Sequence, residues 1–78
     1  MGRPPMPAST LIEPIYVDLS GAAQLTTLSE STIEKMVREG QFPRPRVLSK
    51  QRIGYLRSEI VEWAHARPVV ESFRGQGQ

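Results

Sequence analysis

The sequence has no cysteine, one histidine and one tryptophan among 78 residues. Without cysteine it can build neither a disulfide framework nor a thiolate zinc site. His65 has no second ligand or base in view, so no metal, no cofactor and no catalytic residue is assigned, and an enzyme is the weakest class. No apolar run approaches the ~18 residues of a membrane span, and no apolar signal core is present near the first residues. A cytoplasmic, nucleoid-associated protein without membrane contact is expected. Removing the Pro- and Gly-marked ends leaves roughly 50 residues, near the lower limit for independent folding and too few to enclose an active site.

Net charge is only +2, but its distribution is uneven. Between positions 35 and 57, Lys35, Arg38, Arg44, Arg46, Lys50, Arg52 and Arg57 face only Glu39, a local net charge of +6 against −4 elsewhere. Clustered cations suit a phosphate-binding surface. A solvated basic loop accounts for the same count, so charge by itself separates the two only slightly.

Ser29–Gly40 reads as one short helix. Ser29 suits the N-cap, while Ser31 with Glu34 fits a capping box, leaving two possible starts. Gly40 suits a left-handed C-terminus. Ile33, Met36 and Val37 form an apolar stripe, and Ser31, Lys35 and Arg38 lie about 180° away on the helical wheel. Such a helix either covers a surface or enters a DNA major groove. Upstream, Asp18 or Ser20 caps a shorter helix over 20–26, with Leu19, Ala22, Ala23 and Leu25 supplying contacts. Leu28 falls in the connection, giving the outline of a helix-turn-helix.

Residues 1–14 carry Pro4, Pro5, Pro7 and Pro14 without apolar periodicity, and a flexible arm is expected there. Ile15, Tyr16 and Val17 favour a short extended segment. Past Gly40, Pro43 and Pro45 hold the chain extended, and Phe42 is read as core. Arg46–Leu48 and Arg52–Leu56 have strand composition, joined by Ser49, Lys50 and Gln51. This is a small hairpin, or wing, with basic residues at its tip. The tip either contacts phosphates or keeps a core-covering hairpin soluble. Residues 57–67 form a last helix, with Ile60, Trp63 and Ala64 inward and Pro68 as its stop. The predicted organisation is an arm over 1–14, a winged domain over 15–67 and a tail over 68–78. In that tail Val69, Val70 and Phe73 either form a self-association patch or stay unpacked.

The run LSGAAQLTTLSESTIEKMVREGQFPRPRVLSKQRIGYLRSEIVEWAHAR resembles the AlpA-like family of small phage-type regulators, within the wider MerR-like and excisionase winged helix-turn-helix group. LSESTI, EGQFPRP and IGYLRSEIVEW carry the resemblance. It implies a mainly α fold with a small β-hairpin, whose second helix lies in the major groove of double-stranded DNA. By position it implies Ser31, Thr32, Lys35 and Arg38 as DNA contacts from the helix, and Lys50, Gln51 and Arg52 from the wing. Arg44 and Arg46 join as the flanks of the wing.

Family members serve as transcriptional regulators of mobile elements or as recombination directionality factors (excisionases) that bend attachment-site DNA for a cognate integrase. Cooperative self-association on DNA is expected, because one module buries little interface. Three positions depart from the family pattern: Glu30 stands in place of a basic residue, Glu34 in place of an aromatic, and Thr27 where a turn glycine is common. The glutamates weaken attraction to phosphate, although glutamate can accept from cytosine N4. The competing class is a protein-interaction module without DNA binding.

Overall fold

Local capping sets the helices of the computed structural model, which describes residues 13–72. Helix α1, Leu19–Thr26, starts at Asp18, whose carboxylate accepts from the Gly21 N–H at 2.8 Å. It therefore begins one residue before the sequence-predicted start. Helix α2, Glu30–Arg38, starts at Ser29, whose hydroxyl accepts from the Thr32 N–H at 3.1 Å. That settles the choice of caps: Ser31 lies inside the helix, so the Ser31–Glu34 box is not used. At the far end Gly40 takes φ +73°. Its N–H reaches the Val37 carbonyl at 3.1 Å, and the Gln41 N–H reaches that of Met36 at 2.7 Å. This pair of bonds is a Schellman closure, in which a glycine accepts the left-handed backbone without a Cβ clash.

Strand β1, Tyr16–Val17, β2, Arg46–Ser49, and β3, Arg52–Leu56, form an antiparallel sheet in the order β1-β3-β2. The expected two-stranded wing therefore gains a third strand at its base, with Tyr16 opposite Leu56 and Val17 opposite Tyr55. Strand β3 runs straight into helix α3, Arg57–His65. No side chain caps α3. Instead the Arg57 N–H donates to the Ile15 carbonyl at 2.8 Å, so the residue before β1 satisfies the first turn of the last helix. The Arg57 side chain adds a bond to the Pro14 carbonyl at 2.8 Å and an ion pair with Glu13 at 3.0 Å. The helix ends two residues earlier than predicted, and Ala64, expected inward, is exposed.

Helix α1 is central, packing against α2, α3, β1 and β3. Ala22, Ile33, Phe42, Tyr55 and Ile60 form the buried core, flanked by Val17, Leu19, Ala23, Leu28, Met36, Val37 and Trp63. The small side chain of Ala22 lets neighbouring elements approach α1 closely. Phe42 meets Trp63 edge-on at 4.7 Å between ring centroids and Tyr55 at 6.0 Å. The Trp63 indole N–H donates to the Gln41 carbonyl at 2.9 Å, tying α3 to the segment after α2. Burying these five core side chains contributes about 1.5–3 kcal/mol for each large one, so a few residues hold most of the fold. The observed architecture is mainly α with a small sheet, consistent with a winged helix-turn-helix. Most of the expected arm, and Phe73 in the tail, lie outside the described residues.

Candidate nucleic-acid interface

The turn between α1 and α2 sets the angle at which α2 is presented. Thr27 closes α1 with φ 65°, its N–H bonded to the Ala23 carbonyl at 2.7 Å, and the Leu28 N–H bonds to Thr26 Oγ1 at 3.2 Å. The position where a glycine is common is thus a left-handed residue, carried here by threonine. Helix α2 then packs chiefly against α1, with Ile33 fully buried and Met36 and Val37 half-buried. That orientation leaves Ser31, Lys35 and Arg38 exposed on the opposite side. Thr32 is half-buried, and its hydroxyl accepts from Ser29 Oγ at 2.8 Å. It belongs to the N-cap network more than to the open face.

Lys50 and Gln51 form the hairpin tip, with Ser49 opposite Arg52. Neither tip residue has positive φ. That excludes the I′ and II′ turns that match strand twist, and a bulge at Leu48, between Val47 and Ser49, absorbs the mismatch. Gly54 lets Leu48 lie across the sheet: a Cβ there would sit 2.8 Å from Leu48 Cδ1 and 3.2 Å from Tyr16 Cβ. Lys50, Gln51 and Arg52 are all exposed.

The predicted cations divide by partner. Arg46 pairs with Glu59 of α3. Lys35 stands 3.8 Å from Glu39, an exposed pair of little energetic weight. Among the described residues Arg38, Arg44, Lys50 and Arg52 have no carboxylate within ion-pair distance. Arg44 is exposed on the extended segment after α2, in a shallow groove with Pro43, Pro45, Glu62 and Trp63. Among the described residues the unpaired members of the predicted set therefore lie on the outward side of α2, on the segment after it and at the wing tip.

Two features were not legible as site residues, the wing pair Val47–Ile53 and Arg67, whereas the sequence marks Glu34 as a departure that weakens attraction to phosphate or accepts from cytosine N4. Val47 and Ile53 are cross-strand partners on the wing, yet they are 79% and 55% exposed. Their strand composition signalled pairing but not that the hairpin overhangs the core. Glu34 is exposed, and its charge adds to burial, the larger cause, in pushing the Tyr55 phenol above its ordinary value. Arg67 stacks over Trp63 at 4.6 Å from beyond the end of α3, which closes at His65 and not at Arg67 as expected.

Among the described residues no helix is long and apolar enough to cross a membrane, and no group of three or more His, Asp or Glu could hold a metal ion. The family model described as Prophage CP4-57 regulatory protein (AlpA) matches residues 16–68. An uncharacterized protein, ORF88, of Enterobacteria phage P4 is 30% identical over 64 residues, covering 82% of this chain and 73% of the phage protein.

Proposed function

The chain belongs to the AlpA family of prophage regulatory proteins, and from that premise we propose that it is a sequence-specific binder of double-stranded DNA in a mobile element. In this reading residues 15–67 are the DNA-binding unit, and α2 enters the major groove while the wing meets the adjacent backbone. The observation that carries it is the disposition of unpaired cations, Arg38 on α2 and Lys50 and Arg52 at the wing tip, on a helix-turn-helix scaffold. Ser31 and Lys35 complete the helix contacts, with Thr32 and Gln51 beside them and Arg44 and Arg46 as flanks. Cations released from self-pairing neutralise phosphates and liberate counterions, while side chains on α2 select bases.

The specific role proposed is that of a recombination directionality factor, which bends attachment-site DNA so that a cognate integrase excises the element. The small size of the module supports it. So limited an interface gives modest affinity alone, and neighbouring copies or an integrase supply the rest. The exposed Val47–Ile53 pair offers an apolar surface for such contacts. The description of the family as regulatory favours the second reading, a transcriptional regulator of mobile-element genes, acting in the cytoplasm on the nucleoid.

Both are tested with one pair of assays, attachment-site excision by the cognate integrase and a reporter driven by the element's own promoter, each with and without this protein. Excision that depends on the protein supports the directionality factor. A reporter response with unchanged excision replaces it with the regulator.

A further inference from the structure

Three carboxylates lie along α2, and two have a structural use. Glu30 is the first helical residue, where a negative charge complements the helix dipole. Glu39 closes the C-terminus and pairs with Lys35 at 3.8 Å. Glu34 has neither role. It is exposed, and no cation pairs with it among the described residues, although Arg38 follows one turn later where an i, i+4 pair would form. Glu34 lies one helical turn before Arg38 on the same side of α2, at the flank of the exposed Ser31, Lys35 and Arg38.

A bare carboxylate beside the exposed cations of α2 repels phosphate, and so opposes every duplex that gives it no donor. The major groove supplies donors at cytosine N4 and adenine N6. In the duplex the adenine donor lies between two acceptors, its own N7 and thymine O4, whereas the cytosine donor has an acceptor, guanine O6, on one side only, so a carboxylate meets less repulsion at cytosine. Arg38, also unpaired, carries the complementary fork for guanine O6 and N7. Four residues of helix advance about 6 Å, which spans neighbouring base pairs.

We propose that Glu34 and Arg38 are a specificity pair, Glu34 accepting from a cytosine N4 and Arg38 donating to a nearby guanine. The inference rests on the DNA-binding reading above and names the bases that reading leaves open. In it Glu34 contributes by exclusion, lowering affinity for all sites that lack the cytosine.

The test is selection of binding sites from a randomised duplex library by the full chain and by its Glu34→Gln, Glu34→Ala and Arg38→Ala variants. Titration of each selected duplex, with single base-pair changes, follows. The wild type is expected to select a C·G pair whose replacement by T·A weakens binding about tenfold, within the range for one good side-chain–base contact. Glu34→Ala should lose that discrimination while binding a scrambled duplex more tightly. Glu34→Gln should move the preference at that position towards adenine, which an amide reads through N6 and N7. Arg38→Ala should relax the nearby guanine only. A merely structural Glu34 would leave the selected motif unchanged in both of its variants, and that result overturns the inference. A wild type that selects no motif overturns the DNA-binding reading itself.

Discussion

A β-branched residue in left-handed backbone is uncommon, and Thr27 holds φ 65° in the turn that orients α2. The left-handed conformation costs a residue with a Cβ about 1–2 kcal/mol, part of which glycine returns as lost chain entropy. Thr27→Gly is therefore expected to stabilise the protein by about 0.5–1 kcal/mol, seen as a higher urea midpoint with an unchanged slope. A lower midpoint would show that the Thr27 hydroxyl, which donates to the Thr26 carbonyl, matters more than its backbone. Tyr55 sets a second expectation. Its phenol is buried and its ionisation is pushed up, first by burial and then by Glu34. The neutral form is thus favoured in the folded state. Stability should hold below the ordinary phenol value of about 10 and fall as pH rises above it. Tyr55→Phe should flatten that alkaline fall in unfolding titrations. An identical fall in the variant would assign it to other groups.

Among the elements, the helices were legible because their signals are local. Ser29, Asp18 and Gly40 act within four residues of their own position, and each is where its chemistry suggested. The pairing of β1 with β3 joins Tyr16 to Leu56, a contact no window of sequence contains. The Arg46–Glu59 pair is hidden for the same reason, so which cations were already neutralised could not be read from the chain. Ser31, Lys35 and Arg38 did follow from the wheel alone, once Ile33 was taken as inward. The wing gives an element-scale test. A methyl group on Gly54 would meet Leu48 Cδ1 at 2.8 Å, which must swing aside, and Tyr16 Cβ at 3.2 Å, which yields only if β1 shifts. Gly54→Ala is expected to cost about 1–3 kcal/mol, the range for overpacking, measured by chemical unfolding. No loss of stability would mean that Leu48 is free to rotate aside.

At the scale of the whole molecule, a charge of +2 conceals a divided surface. Glu59 pairs with Arg46, while among the described residues Arg38, Arg44, Lys50 and Arg52 have no carboxylate partner. A central α1 supports α2 on one side and the sheet and α3 on others, so helix and wing are held by one small core. Removing a core contact should thus weaken both parts of the interface together. Substitutions at exposed cations should change binding alone.

The measurement closest to that claim is a fluorescence-anisotropy titration across a salt series. It would use the protein's own upstream and attachment-site DNA with a scrambled duplex as control, for the wild type, Arg46→Ala and the Arg38→Ala, Arg52→Ala double variant. Preferential binding to one of the native duplexes, weakening steeply with salt, is expected of the wild type. The double variant should abolish specific binding through the loss of Arg38 and lower the salt slope by about one through the loss of Arg52, whereas Arg46→Ala should leave the slope nearly unchanged, since Arg46 already has a carboxylate partner. Equal, feeble binding to every duplex at low salt, or a double variant that binds like the wild type, would contradict an interface built on α2 and the wing.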